Sequence, residues 1–271
     1  GGVGGVGGMG GMGMGGMTPG GMGGGMAGQP VAMAGAGATA QPLQSGGAAA
    51  NANECFRNLA PMGSAYGCDY SNLDLRGYPL FMATFVNCRF FGADLRGADF
   101  FGAALTSSDF SNATLDQASF QEATLTLVKM DHATAIHASF AHSTISGGNM
   151  YTPITMTHGD WTGAQFIGAQ IMFADMTWGN FEVADMSAAS VEMSSFDGCM
   201  MAGANLMEAG FSEVNARGAT FDYADMSISE FEVCDLSFST FRRADLTDTL
   251  FGDTTLTCTE WTQARRRTRL E

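Results

Sequence analysis

The first 53 residues of this 271-residue chain contain no Asp, Glu, Lys or Arg, although the whole chain has a formal charge of -15. Basic residues are few throughout, 12 against 27 acidic ones, which argues against binding nucleic acid through its phosphates. No apolar run approaches the roughly 20 residues of a membrane-spanning helix, and charged residues are too sparse for a solvated coiled coil. We therefore expect a soluble chain that neither spans a membrane nor binds nucleic acid directly.

Residues 1–47 form a glycine- and methionine-rich segment, and the first 50 residues hold 21 of the 38 glycines and 7 of the 20 methionines. Neither a helical nor an alternating hydrophobic period persists there, which predicts a disordered tether. A phosphate-binding loop would need a preceding strand, a following helix and usually a Gly-Lys-Ser/Thr ending. Methionines such as Met9 and Met12 are adaptable apolar groups, so the alternative is a segment that orders against a partner.

Beyond this segment, large apolar residues recur every five positions from Leu75 to Trp261, and alanine commonly lies two positions before them. A period of five matches neither the roughly 3.6 of a helix nor the roughly 2.0 of a strand, so each repeat must contain a bend. If every bend returns the large residue to an interior, the chain winds into coils about 4.8 Å apart. A recurrence of aromatic residues near every 20 positions predicts four sides per coil and one aromatic column on one side, formed by Phe100, Phe120, Phe140, Trp161, Phe181, Phe221, Phe241 and Trp261.

The period shifts by one residue after Met150 and resumes at Met156. Proline cannot donate to a strand ladder, so Pro153 predicts a one-residue bulge or small protruding loop within 151–155. Phe140 and Trp161 belong to the same predicted aromatic column only if this one extra residue is allowed for in the 20-residue spacing.

The run Ala93-Asp94-Leu95-Arg96-Gly97-Ala98-Asp99-Phe100 resembles the A-D/N-L/F-x-x unit of the pentapeptide-repeat family, and the resemblance covers residues 68–261. It implies an all-β, right-handed quadrilateral β-helix, a solenoid, without enzymatic activity or a cofactor of its own. Such a stack needs its ends covered. We interpret residues 48–67 as an N-terminal cap with a short helix over 48–59, and residues 262–271 as a basic C-terminal tail.

Six cysteines without a CxxC spacing give no zinc signature. Cys68 and Cys88 both occupy the small interior position and should lie one coil apart, with Cα atoms about 4.8 Å from each other, within disulfide range. Their parallel Cβ directions are less favourable for a bond, so we favour the interpretation that each fills an alanine position, with a disulfide between them as the alternative. We expect Cys199 and Cys234 to remain unpaired.

Metal-ligating and catalytic constellations are not predicted. His137 and His158 should stack in adjacent coils, but two ligands without a third carboxylate or thiol make a weak metal site. Serine and threonine are abundant, yet none has a paired base and orienting group, so no catalytic residue is assigned.

Negative charge is concentrated in residues 160–261, which hold 17 acidic and 3 basic residues, against 9 and 5 in residues 54–159. Two adjacent sides, built on Phe166 and Ile171, hold ten of these carboxylates and no Lys or Arg. The repeat favours Asp before the large residue, whereas most of the glutamates need another reason, such as solubility. The ten form a predicted interaction surface, which we call the acidic surface: Asp185, Glu192, Glu208, Glu213, Asp225, Glu230, Glu232, Asp245, Asp248 and Asp253.

Two functions fit these features, and we favour a scaffold that docks to a larger protein assembly. It would serve as an accessory subunit, for instance peripheral to a photosynthetic or other membrane complex, in an organelle or extracytoplasmic compartment such as a thylakoid lumen. Arginines cluster at the C-terminal end, where we favour a solvated end, and the alternative is a site that contacts an acidic partner or anionic lipid headgroups: Arg265, Arg266, Arg267 and Arg269.

The alternative comes from family members that mimic DNA and bind type II topoisomerases such as gyrase, conferring quinolone resistance. This chain is similar to them in its repeat and its acidic surface. It departs from them in its short basic C-terminus and in the glycine tract.

Overall fold

The computed structural model describes residues 52–267, which form an all-β right-handed solenoid of about ten coils. The predicted tether of residues 1–47 and Arg269 of the predicted arginine cluster lie outside these residues. The elements within the described range are α1 (Ala52–Asn58), β1 (Ser64–Tyr66), β2 (Thr84–Val86), β3 (Ala104–Thr106), β4 (Thr124–Thr126), β5 (Thr144–Ser146), β6 (Ile154–Thr155), β7 (Gln170–Met172), β8 (Ala174–Asp175), β9 (Ser190–Glu192), β10 (Gly210–Ser212), β11 (Glu230–Glu232), β12 (Asp245–Thr247), β13 (Leu250–Gly252) and β14 (Arg265–Arg267).

Ten strands form one parallel sheet in the order β1-β2-β3-β4-β5-β7-β9-β10-β11-β13. Phe85 pairs with Leu105 and Leu105 with Leu125, so one coil takes 20 residues, as predicted. Isolated parallel bridges and two short sheets, β6-β8 and β12-β14, join the coils elsewhere. We name the four sides after their buried residues in one coil: the Met156, Trp161, Phe166 and Ile171 sides.

The core consists of the large residue of each repeat and the small residue two positions before it. Phe100 and Phe120 are fully buried and stack with ring centroids 4.7 Å apart and planes 5° apart. Ala98 and Ala118, which are also buried, occupy the small positions beside them. Stacked rings at such separations are favourable beyond their buried area, so the aromatic residues act as core.

Each corner is a tight turn, which explains why the repeat contains a polar residue and two small or polar ones. After buried Leu95, Gly97 has φ 65° and the N–H of Ala98 donates to the carbonyl of Leu95 at 2.9 Å. A positive φ at the third residue is typical of a type II turn. The aspartate before the buried residue fastens the corner, as where Asp109 Oδ1 accepts from the N–H of Ser111 at 3.0 Å.

The helix α1 covers the first coil and is covalently joined to it by a disulfide between Cys55 and Cys68, with Cα atoms 5.6 Å apart. The buried hydroxyl of Tyr70 donates to the carbonyl of Cys55 at 2.8 Å. The alternative of a Cys68–Cys88 disulfide is therefore wrong, and Cys88 fills its alanine position as a free buried thiol. Equivalent side chains of adjacent coils run parallel, whereas Cys55 approaches Cys68 from the cap.

The break in the period is larger than the sequence predicts. Ile145 pairs with Ile171, 26 residues along, so the chain carries six extra residues where one was expected. Residues 148–153 form a loop in which the N–H of Gly148 donates to the carbonyl of Thr152 at 2.8 Å. Met150, predicted to lie in the core, is 63% exposed on this loop.

The extra residues move the aromatic column from one side to the next. Phe140 stacks on Phe166, with ring centroids 4.9 Å apart and planes 6° apart, rather than on Trp161. Trp161 begins another aromatic column on its own side, so the predicted single column is wrong. The same register places His132 against His158, with ring centroids 5.1 Å apart, in place of the predicted His137.

Candidate interaction surfaces

The ten carboxylates of the acidic surface fall into two groups. Asp185, Asp225 and Asp245 fasten corners of the solenoid; Asp225 Oδ1 accepts from the N–H and Oγ–H of Ser227 at 3.0 and 2.6 Å. These aspartates are thus explained by the turns, which accounts for the preference of the repeat for Asp before the large residue.

The carboxylates of the second group do not stabilise corners of the solenoid. Glu192 accepts only a long hydrogen bond of 3.5 Å from Ser190 Oγ. Glu230 and Glu232 flank the buried Phe231 on β11, so both carboxylates face outward. Six carboxylates are exposed and have no hydrogen-bond or ion-pair partner for their side chains within residues 52–267: Glu208, Glu213, Glu230, Glu232, Asp248 and Asp253.

The strand ladder sets the spacing of these carboxylates. Glu192 pairs with Ser212, and Ser212 pairs with Glu232, so the two glutamates are two coils, or about 9.6 Å, apart. Uncompensated charges of one sign on a rigid surface create a field that attracts cationic groups. The acidic surface therefore suits a partner with a basic face.

The C-terminal arginines lie at the end of the Phe166 side, where β14 pairs with β12. Arg265 Nη1 lies 3.0 Å from Asp245 Oδ2. The hydrogen bond from Thr247, together with this guanidinium, holds the pKa of Asp245 below its usual range. The guanidinium of Arg266 lies over the Trp261 ring. These two arginines thus contact their own chain; the remaining described member of the cluster, Arg267, ends β14.

A groove of about 310 Å³ lies beside the 148–153 loop, and sequence reasoning did not identify it. The loop contributes Met150 and Pro153, and the corners of the next two coils contribute Phe173 and Met193. The Met156 side adds a polar strip. The lining residues are Met150, Pro153, Phe173, Ala174, Asp175, Met193, Ser194, Ser195, Glu213 and Asn215. In the sequence, Pro153 shortly after Gly147 and Gly148 indicated a loop at this point. The phase of the five-residue repeat, however, did not reveal how long the loop is.

The free thiols have little nucleophilic character. Cys88, Cys199 and Cys234 are buried, and burial raises the pKa of each thiol, that of Cys199 to about 12. A thiol with a raised pKa is a poor nucleophile, since the thiolate is the reactive form. Cys258 is exposed at a corner.

Across residues 52–267, no cluster of three or more His, Cys, Asp or Glu side chains is arranged to hold a metal ion. Within the same range no helix is both long and apolar enough to cross a bilayer.

A four-sided parallel β-solenoid with a five-residue repeat defines the class of this protein. Residues 85–134 match a family model of pentapeptide repeats in nine copies, and residues 209–253 match a second in eight copies. Both matched ranges therefore consist of pentapeptide repeats. No curated protein matches it in sequence.

Solved structures similar to this chain include three proteins from different sources. HetL, involved in heterocyst differentiation regulation in the cyanobacterium Nostoc sp. Strain PCC 7120, is 20% identical, with 76% of this chain and 85% of that chain covered and a TM-score of 0.35. Full-length QnrB1, a plasmid-mediated fluoroquinolone resistance protein, is 22% identical, with 73% and 91% covered and a TM-score of 0.32. A pentapeptide repeat protein from the Arabidopsis thaliana thylakoid lumen is 24% identical, with 43% and 75% covered and a TM-score of 0.34.

Proposed function

We propose that this chain is a non-enzymatic scaffold that docks to a larger protein assembly through the acidic surface. The six exposed, unpartnered carboxylates of that surface carry the proposal. They project from a hydrogen-bonded solenoid, so a partner would not have to order the backbone that presents them. Complementary charge accelerates association with a basic partner and disfavours acidic ones.

Burial of three free thiols, which raises the pKa of each, supports a role without covalent catalysis. The Cys55–Cys68 disulfide supports a compartment in which thiols are oxidised, such as an organelle lumen or an extracytoplasmic space. In such a compartment the chain would act as an accessory subunit, peripheral to its assembly.

Affinity capture from the native source tests the docking role. The bait is the full chain, and it is compared with the triple variant Glu208→Gln, Glu230→Gln, Glu232→Gln. The matched control, Glu54→Gln, Glu122→Gln, Glu182→Gln, removes the same charge from exposed glutamates outside the acidic surface.

We expect the first variant to lose about tenfold in partner affinity, because each exposed ion pair contributes up to about 1 kcal/mol, while the control binds normally. Recovery of the bait alone, or equal loss in both variants, would contradict the proposal.

A second candidate function is protection or inhibition of a type II topoisomerase by mimicry of DNA. The excess of 17 acidic over 3 basic residues in residues 160–261 favours it. A gyrase supercoiling assay with the full chain decides the matter: inhibition that the acidic-surface variant abolishes supports mimicry, and no inhibition at micromolar protein removes it.

A further inference from the structure

We propose that the groove beside the 148–153 loop binds an extended segment of the partner and that this segment presents an arginine or lysine side chain. The inference rests on the proposed function, because the occupant is part of a docked protein. It concerns another face, since the groove opens on the Met156 side and shares only Glu213 with the acidic surface.

The groove interrupts an otherwise regular solenoid, and one of its walls is apolar. Met150 is 63% exposed on the loop, and Phe173 and Met193 are half-buried at successive corners. The same corner holds Ser107, Leu127 and Val233 in other coils, so Phe173 and Met193 are two of the larger side chains in this row and lie in adjacent coils at the groove. Apolar surface left in water is unfavourable, by about 25 cal/mol for each Å². The methylene stem of a lysine or arginine can cover such a wall while its charged head stays in water.

The other side of the groove is polar and negatively charged. Asp175, Ser195 and Asn215 follow one another up the ladder of the Met156 side. Asp175 Oδ1 accepts from the N–H and Oγ–H of Thr177 at 3.2 and 2.8 Å, which leaves Oδ2 available. Glu213 is exposed and has no side-chain partner in the described part of the chain.

None of the described residues that line the groove is basic, so its carboxylates have no cationic partner among them. The neighbouring Arg217 is already engaged, with Nη1 3.2 Å from Asp235 Oδ2. Ser195 and Asn215 can donate and accept hydrogen bonds along an extended backbone. An apolar wall opposite carboxylates therefore selects a charged side chain carrying methylenes, within a polypeptide, over a hydrated inorganic cation.

Methionine methyl NMR on the full chain tests this directly, because Met150 and Met193 lie in the groove. The probes are the peptide Ac-Gly-Leu-Arg-Leu-Gly-NH2 and the same peptide with glutamine in place of arginine. We expect the arginine peptide to shift the Met150 and Met193 methyl signals, and to leave those of exposed Met200 and Met207 unchanged.

Substitutions separate charge from packing. Glu213→Gln should weaken the arginine peptide by about threefold to fivefold, the range of an exposed ion pair, without affecting the glutamine peptide. Glu208→Gln is the matched control: it is also exposed at a corner, with φ 61° against 54° for Glu213, and should change neither. Met193→Ser should weaken both peptides, with Met207→Ser as its control.

Equal shifts with both peptides, or equal loss with Glu208→Gln, would overturn the inference. So would spermidine that shifts Met150 and Met193 as strongly as the arginine peptide, since the site would then be one for small polyamines. Capture of the native partner distinguishes this failure from that of the proposed function. If Glu213→Gln, Met193→Ser retains the partner while the acidic-surface variant loses it, docking stands and the groove inference fails.

Discussion

The guanidinium carbon of Arg266 lies 4.3 Å from the centroid of the Trp261 ring in the last described coil. Trp261 in turn stacks on Phe241, with ring centroids 4.3 Å apart and planes 8° apart. A cation over an aromatic face is attracted by the quadrupole of the ring. Arg266 of the arginine cluster therefore covers the last aromatic ring of the stack, in addition to carrying charge.

Replacing Arg266 with glutamine should lower the free energy of unfolding by about 0.5–1 kcal/mol, because an exposed cation–π contact is lost. Urea denaturation of the full chain measures the change. Arg89→Gln is the control, since Arg89 is exposed and its side chain has no partner in residues 52–267. An equal loss in both variants would mean that the Trp261 contact stabilises nothing.

Removing the disulfide with Cys55→Ser, Cys68→Ser should cost about 3 kcal/mol of unfolding free energy, since the bridge closes a short loop in the unfolded chain. The two cysteines are 13 residues apart. Cys258→Ser, at an exposed free thiol, should leave the free energy of unfolding unchanged.

Thiol labelling checks the pairing of Cys55 with Cys68. In the non-reduced folded chain only Cys258 should react rapidly, and denaturation without reductant should expose four thiols in all. Six reactive thiols without reductant would refute the bridge.

Deleting residues 148–153 should restore the uninterrupted period, because Gly147 would then precede Ile154 as Leu127 precedes Val128. Since loop length affects stability only weakly, the free energy of unfolding should change by less than about 1 kcal/mol. Deleting residues 188–193 is the control and should prevent cooperative folding, because it displaces the buried residues of every later coil. Circular dichroism and thermal melts compare the two, and similar loss of structure in both would show that the loop supports the fold.

Acid titration should reveal the Arg76–Asp74 pair. The hydrogen bond from the Arg76 side chain, with Nη2 2.6 Å from Asp74 Oδ2, lowers the pKa of Asp74 to about 2. A depressed pKa contributes stability above the ordinary value of 3.8, and that contribution is lost as the pH falls through about 2. Carboxyl NMR should find the midpoint near 2, returning towards 3.8 in Arg76→Gln but not in Arg57→Gln. A native midpoint near 3.8 would contradict the pairing.

Sequence alone determined the repeating features of this protein. The five-residue period, the buried positions such as Phe100, and the corner role of Asp225 each arise within one repeat, where the bend and the burial are local matters. Because coils differ little from one another, this local pattern also determined the four-sided parallel solenoid and its 20-residue coil.

Only the tertiary structure decided features that depend on distant contacts. A five-residue period has the same phase after one extra residue as after six, so pairing of Ile145 with Ile171 was needed to size the loop. That pairing created the groove and stacked Phe140 on Phe166 instead of on Trp161. Likewise, packing of α1 on the first coil, which no spacing rule encodes, brought Cys55 to Cys68.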